Sequence, residues 1–187
     1  MPAPAVDLPS WAVVKAERAA HIARVAALME SWARTAGRSA AERERWHRAA
    51  VLHDAVRDAD PDALRPHVGE ASVMPPALWH GPAAAALAAQ HGERDEGVLA
   101  AVRWHTLGWR AWDEVGKALY LADYLEPGRT HEPDRAALAA RVAGEFDAVL
   151  REVAARRLGW LLRTGRPIAR QTWDFWNGLV AGDSSSW

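Results

Sequence analysis

The chain of 187 residues contains no cysteine, which excludes disulfides, thiolate nucleophiles and cysteine-ligated zinc. It also lacks a surplus of positive charge. Lys and Arg total 23 against 24 Asp and Glu, so no global field gathers nucleic acid or an anionic membrane, and an anionic substrate has to be held locally. The N-terminal stretch lacks the basic start and continuous apolar run of a signal peptide, and no segment approaches the roughly 20 apolar residues of a membrane span. A cytoplasmic protein without membrane or nucleic-acid partners is the expectation, with self-association left open. Strand-like alternation and internal repeats are absent as well, which leaves an all-α reading.

What the chain has is apolar residues, 50% of the total, and 11 tryptophans. Its length suits one domain, expected over residues 9–181, with 1–8 and 182–187 as flexible ends. Trp79 and Trp104 immediately precede His80 and His105, and Trp109 and Trp112 follow closely. Packing is the expected role of these rings, with an aromatic wall for a nucleobase as the alternative.

Punctuation marks the helices. Ser10 reads as the N-cap of a first helix whose stripe holds His21, Val25, Leu28 and Trp32, and Gly37 ends it. Ser39 with Glu42 forms a capping-box pattern for a second helix carrying Trp46, Ala49, Ala50, His53 and Asp54. Residues 61–76 read as connection with at most one short helix. A helix then starts near Gly81 or Pro82, with His80 at its mouth, and stops at Gly92. Asp95 caps a helix with Val98, Ala101, Val102 and His105 inward, closed by Gly108. Asp113 opens another with Val115, Leu119 and Ala122 on one face and Asp123 beside them. A long helix from Pro133 to about Leu162 and a last one from Pro167 to Gly178 complete the pattern.

His21, the doublet His53-Asp54, His80, His105 and Asp123 thus place metal-capable groups where hydrophobes are expected. A lone core histidine is ordinarily just hydrogen-bonded. An aspartate flanked by apolar residues must be paired, capped or metal-bound, and Arg57 near Asp54 and Lys117 near Asp123 offer ion pairs as the plain alternative. The coincidence of all six favours a transition-metal site converging inside a helical bundle. His47, His67, His91 and His131 read as surface residues.

These residues resemble the HD-domain metal-dependent phosphohydrolases: an HD doublet with an upstream helical histidine and a downstream aspartate. His80-Gly81, the run from His105-Thr106 to Gly108, and Ala122-Asp123-Tyr124-Leu125-Glu126-Pro127 ending at Arg129 are similar to the YqeK-type subgroup, the symmetrical bis(5'-nucleosyl)-tetraphosphatases. The likeness runs from about Arg18 to Asn177. It implies an HD-domain helical bundle with a metal site in its core, in which His21, His53, Asp54, His80, His105 and Asp123 ligate two metal ions. Iron is the expected metal, with manganese or another divalent transition metal as alternatives. His53 and Asp54 would be catalytic, Asp54 bridging both ions. Arg57, Thr106 and Arg129 would bind a small nucleotide substrate. The implied reaction is hydrolysis of diadenosine tetraphosphate to two ADP by a metal-activated water. The alternatives are an HD phosphohydrolase of nucleoside monophosphates or a signalling nucleotide, or a non-catalytic nucleotide sensor. The chain departs from the subgroup at Arg57, where lysine is usual, and between Gly108 and Lys117.

Overall fold

The computed structural model describes residues 6–128 and 134–181, which fold into eight α-helices. They are α1 (Ala16–Thr35), α2 (Ala40–Leu52), α3 (Pro61–Leu64), α4 (His80–Gln90), α5 (Glu96–Trp104), α6 (Glu114–Leu125), α7 (Arg135–Arg163) and α8 (Arg170–Val180). There is no strand among the described residues, and no helix is long and apolar enough to cross a membrane. Three 3-10 turns fill the connection between α3 and α4.

Local chemistry explains most boundaries. Gly37, at φ +66°, takes the left-handed turn after α1, and the Ser39–Glu42 capping box closes both ways at α2. Asp95 caps α5 by accepting from the amides of Gly97 and Val98, and Asp113 caps α6 through Val115. The helix start at Ser10 is corrected: α1 begins at Ala16, with Lys15 as its N-cap. The preceding segment pairs instead with the loop after α2. Val13 N–H donates to the Ala55 carbonyl at 2.7 Å, and Lys15 N–H to the Asp58 carboxylate at 2.8 Å, so its backbone groups are satisfied without a helix. The second helix also stops sooner than its apolar pattern implies. His53 is its C-cap and Asp54 lies in the turn beyond. The last helix begins at Arg170 rather than Pro167.

Helices α1, α2, α5 and α6 pack against one another, α4 lies on α5, and α7 covers α6 and carries α8. Val25, Met29, Leu119, Leu121 and Leu150 are fully or almost fully buried between them. Alanine dominates α4, where Ala83, Ala84, Ala85 and Ala88 are buried and permit close approach. Gly81 makes another. A Cβ there would stand 2.8 Å from the Arg103 carbonyl oxygen, so glycine lets the start of α4 meet the end of α5. In α7, Gly144 precedes a break at Glu145 (φ -134°, ψ 39°), which Arg141 spans by pairing with both Glu145 and Glu152. Trp32, Trp46, Trp79 and Trp112 are buried, the packing role expected of these rings, while Trp104 and Trp109 stack on each other half-buried.

Candidate metal centre

The six metal-capable residues predicted from the sequence meet in the core: His21 on α1, His53 and Asp54 at the end of α2, His80 at the start of α4, His105 capping α5 and Asp123 on α6. None is more than 6% exposed. Five of them form two groups that could each hold a metal ion, His21, His53 and Asp54 on one side and Asp54, His80 and His105 on the other, while Asp123 Oδ1 lies 3.3 Å from His21 Nε2. Asp54 belongs to both because its oxygens diverge. Oδ2 lies 3.8 Å from His21 Nε2 and 3.6 Å from His53 Nε2, while Oδ1 lies 3.4 Å from His80 Nε2 and 3.5 Å from His105 Nε2.

Helix ends orient the rings. The last-turn carbonyls of a helix lack intrahelical partners. His53 and His105 sit one residue past their helices and donate Nδ1–H back to such carbonyls, Ala50 at 2.7 Å and Val102 at 2.8 Å. His80 does the same to Ala77 at 3.2 Å, and His21 donates to Glu126 Oε1 at 3.2 Å. With the proton assigned to Nδ1, each Nε2 presents a lone pair inward, the arrangement metal-binding histidines adopt. His53 Nε2 then lies 3.3 Å from His21 Nε2, and His80 Nε2 lies 3.1 Å from His105 Nε2. Lone pairs facing at such distances repel unless a cation or proton stands among them. The donor set, imidazole nitrogen and carboxylate oxygen, suits a transition metal.

Electrostatics differ from ring to ring. Burial pushes His53 down to about 4 and His80 down to about 3, the latter helped by the neighbouring His105. Burial acts against His21 too, but hydrogen bonds to Asp123 and Glu126 raise it above its ordinary value. Burial opposes ionisation of Asp54, yet the surrounding imidazoles, His53 foremost, hold its carboxyl below the usual range.

Of the predicted substrate contacts, Thr106 Oγ1 lies 3.3 Å from His80 Nε2 and 3.2 Å from His105 Nε2. Arg57 is half-buried and reaches the Ala77 carbonyl that also holds His80, so its charge bears on His80 rather than pairing with Asp54. Arg129 and His131 lie outside the described residues. His47 and His91 are exposed, and His67 is half-buried.

Three neighbours were given no role in the sequence reading. Arg18 pairs with Asp54 Oδ2 at 2.7 Å, in place of Arg57. Glu126, 1% exposed, accepts from His21, from Arg24 at 2.6 Å and from the Gly128 amide at 2.7 Å. Burial opposes its ionisation, but these bonds hold it down to about 2. Arg157 on α7 stands 3.9 Å from Asp123 Oδ2, where Lys117 was the nearer cation in sequence. Arg18 and Glu126 carry a readable signal, each three residues from a candidate ligand on one helical face. Arg157 carries none. A surface groove of about 900 Å³, lined by Trp11, His47, Arg48 and His91 among others, touches none of the six residues.

Residues 18–128 match the model of the HD domain family. The chain is 28% identical over 142 residues to the symmetrical bis(5'-nucleosyl)-tetraphosphatase of Bacillus subtilis (strain 168), covering 72% of this chain and 75% of that protein. It is 33% identical over 102 residues to the enzyme of the same name from Staphylococcus aureus (strain NCTC 8325 / PS 47), covering 54% and 53%. Among solved structures, a predicted HD superfamily hydrolase involved in NAD metabolism from Clostridium acetobutylicum superposes with a TM-score of 0.79 over 90% of this chain and 92% of that one. At 21% identity this likeness speaks for the fold alone.

Proposed function

Because the chain belongs to the HD domain family, we propose that it is a metal-dependent phosphohydrolase that cleaves diadenosine tetraphosphate, or a closely related dinucleoside polyphosphate, into two nucleoside diphosphates in the cytoplasm. The observation that carries the reading is Asp54, whose two oxygens face two separate histidine pairs inside the matched segment. The names of the similar tetraphosphatases support the substrate class.

On this reading His21, His53, Asp54 and Asp123 hold one metal ion and Asp54, His80 and His105 the other, iron or manganese being the expected species. A metal pair of this kind supplies Lewis acidity, activating water at neutral pH and offsetting charge that develops on a phosphoryl group. The protein orients the reaction. Carbonyls of Ala50, Ala77 and Val102 fix three rings by their Nδ1 protons, and Glu126 fixes the fourth. Arg57 and Arg129 contact substrate phosphates, and Thr106 contacts substrate beside His80 and His105. His53 and Asp54 act at the reacting group.

Hydrolysis of diadenosine tetraphosphate in oxygen-labelled water, with products resolved by mass spectrometry, tests the reading. Two ADP, one of them carrying the label, are expected. AMP with ATP, or brisk hydrolysis of a nucleoside monophosphate while the tetraphosphate stays intact, would overturn it.

A further inference from the structure

The geometry points to Arg157 as a phosphate-contacting residue of this centre, supplied by α7 from beyond the segment that matches the family model. The inference rests on the phosphohydrolase reading and adds to it a contact from a different part of the chain.

The guanidinium is held on several sides. It lies 4.6 Å over the Tyr120 ring and 5.9 Å from that of Tyr124, and Nη2 donates to the Thr106 carbonyl at 3.3 Å. Nη1 is shielded from solvent and makes no hydrogen bond. Its distance to Asp123 Oδ2, 3.9 Å, is too long for one. Arg18 and Arg24, also at the centre, behave differently, since they meet carboxylates at 2.7 Å and 2.6 Å. Arg18 Nε is also shielded without an acceptor, but that guanidinium already meets Asp54 through Nη1, whereas Arg157 Nη1 is shielded with no acceptor and its nearest carboxylate, Asp123, stands at 3.9 Å.

An unmatched charged donor is costly to bury. Aromatic faces and a carbonyl nonetheless hold this one in place, at the backbone of Thr106 and beside Asp123. A planar guanidinium anchored through one nitrogen presents the other to an incoming oxygen, and phosphoryl oxygens match that fork. A group bound between Thr106 and Asp123 would complete the set.

The test uses the metal-loaded full chain and titration calorimetry with ADP and with inorganic phosphate. Arg157→Gln should weaken both ligands by roughly tenfold to a hundredfold, the range of a hydrogen bond to a charged group. Arg157→Lys should recover part of that loss, and both variants should keep the parent's metal content. Unchanged ADP and phosphate affinities would overturn the contact, as would a parent chain that binds neither. A matching drop in metal content would also overturn it, assigning Arg157 to the support of Asp123. Arg157-dependent phosphate binding in a chain that cleaves no nucleotide would uphold the contact and sink only the activity.

Discussion

The two sides of Asp54 are equally buried but differ in what stands behind the rings. On the His21 side, Asp123 Oδ1 lies 3.3 Å from His21 Nε2, and Glu126 with Arg24 lies behind the same ring. On the His80 side the described supports are the Ala77 and Val102 carbonyls, the Thr106 hydroxyl and the charge of Arg57. His21 accordingly rises despite burial, while His80 falls to about 3. The carboxylates of Asp123 and Glu126, which reach His21, set that ring apart from His53 and His80 in how it answers a positive charge. On the proposed reading the two metal positions are therefore inequivalent: the His21 side, with two carboxylates, binds the tighter ion, and the His80 side the weaker.

The largest effect should come from the one group common to both sides. Asp54→Asn removes the shared charge, so both ions should be lost, together with the rise in melting temperature that binding to the native state confers. Elemental analysis and melts with and without chelator read this directly. A variant that keeps the parent's metal content would show that Asp54 does not join the two sides.

Variants on a single side come next. Asp123→Asn should weaken the tighter step of a metal titration, and His105→Ala should abolish the weaker step while leaving the tighter one. Identical titration curves for the two variants would dissolve the comparison. Glu126→Gln is milder, because the amide oxygen can still accept from His21 while the charge is gone. Loss of an outer partner costs roughly 10–100-fold in metal affinity, and this should fall on the tighter step alone, measured by chelator competition. Glu126 is held down to about 2, so it is ionised throughout the neutral range, and pH dependence of the tighter step there comes from His21, which is raised above its ordinary value, so that step should weaken as pH falls.

Much of this was legible beforehand, because the elements that position the site begin and end at residues with local chemistry. Gly37, the Ser39–Glu42 box, Asp95 and Asp113 each do in the structure what their residue type does anywhere. The convergence was signalled by three apolar stripes and one helix mouth, that of His80, which each included a ligand-type group. Two things were hidden. Apolar periodicity runs on through His53 and His105, so the pattern could not reveal that both stand just past a helix end, where a free carbonyl sets the proton. Ion-pair partners were also hidden. Arg57 is three residues from Asp54 in sequence, but the turn after Leu52 carries it to His80, and α1 supplies Arg18 instead. Ser10 failed as a helix start for the same kind of reason, since pairing with residues 55–58 satisfied the backbone first.

The smallest effect should appear one helix away from the centre. Asp95 caps α5 through Oδ1, accepting from Gly97 N–H at 3.0 Å and Val98 N–H at 3.1 Å, and receives Arg45 Nε at 2.5 Å. The Arg45 hydrogen bond, with the two amides against partial burial, holds its carboxyl down to about 2. A carboxylate whose pKa is depressed by folding stabilises the fold above its unfolded value and loses that contribution as pH falls through the folded one. For Asp95 the window runs from near 4 down to about 2. Asp95→Ala should therefore lower stability by about 1 kcal/mol at neutral pH, the usual worth of an N-cap, with at most about 1 more for the ion pair. The gap from the parent should close as denaturant melts are taken from pH 4 toward pH 2. Because α5 delivers His105 from its other end, both steps of the metal titration should keep their affinities. Loss of the weaker step in a folded Asp95→Ala chain would mean that the His80 side depends on how α5 is anchored, and carboxylate count alone would no longer explain the inequality.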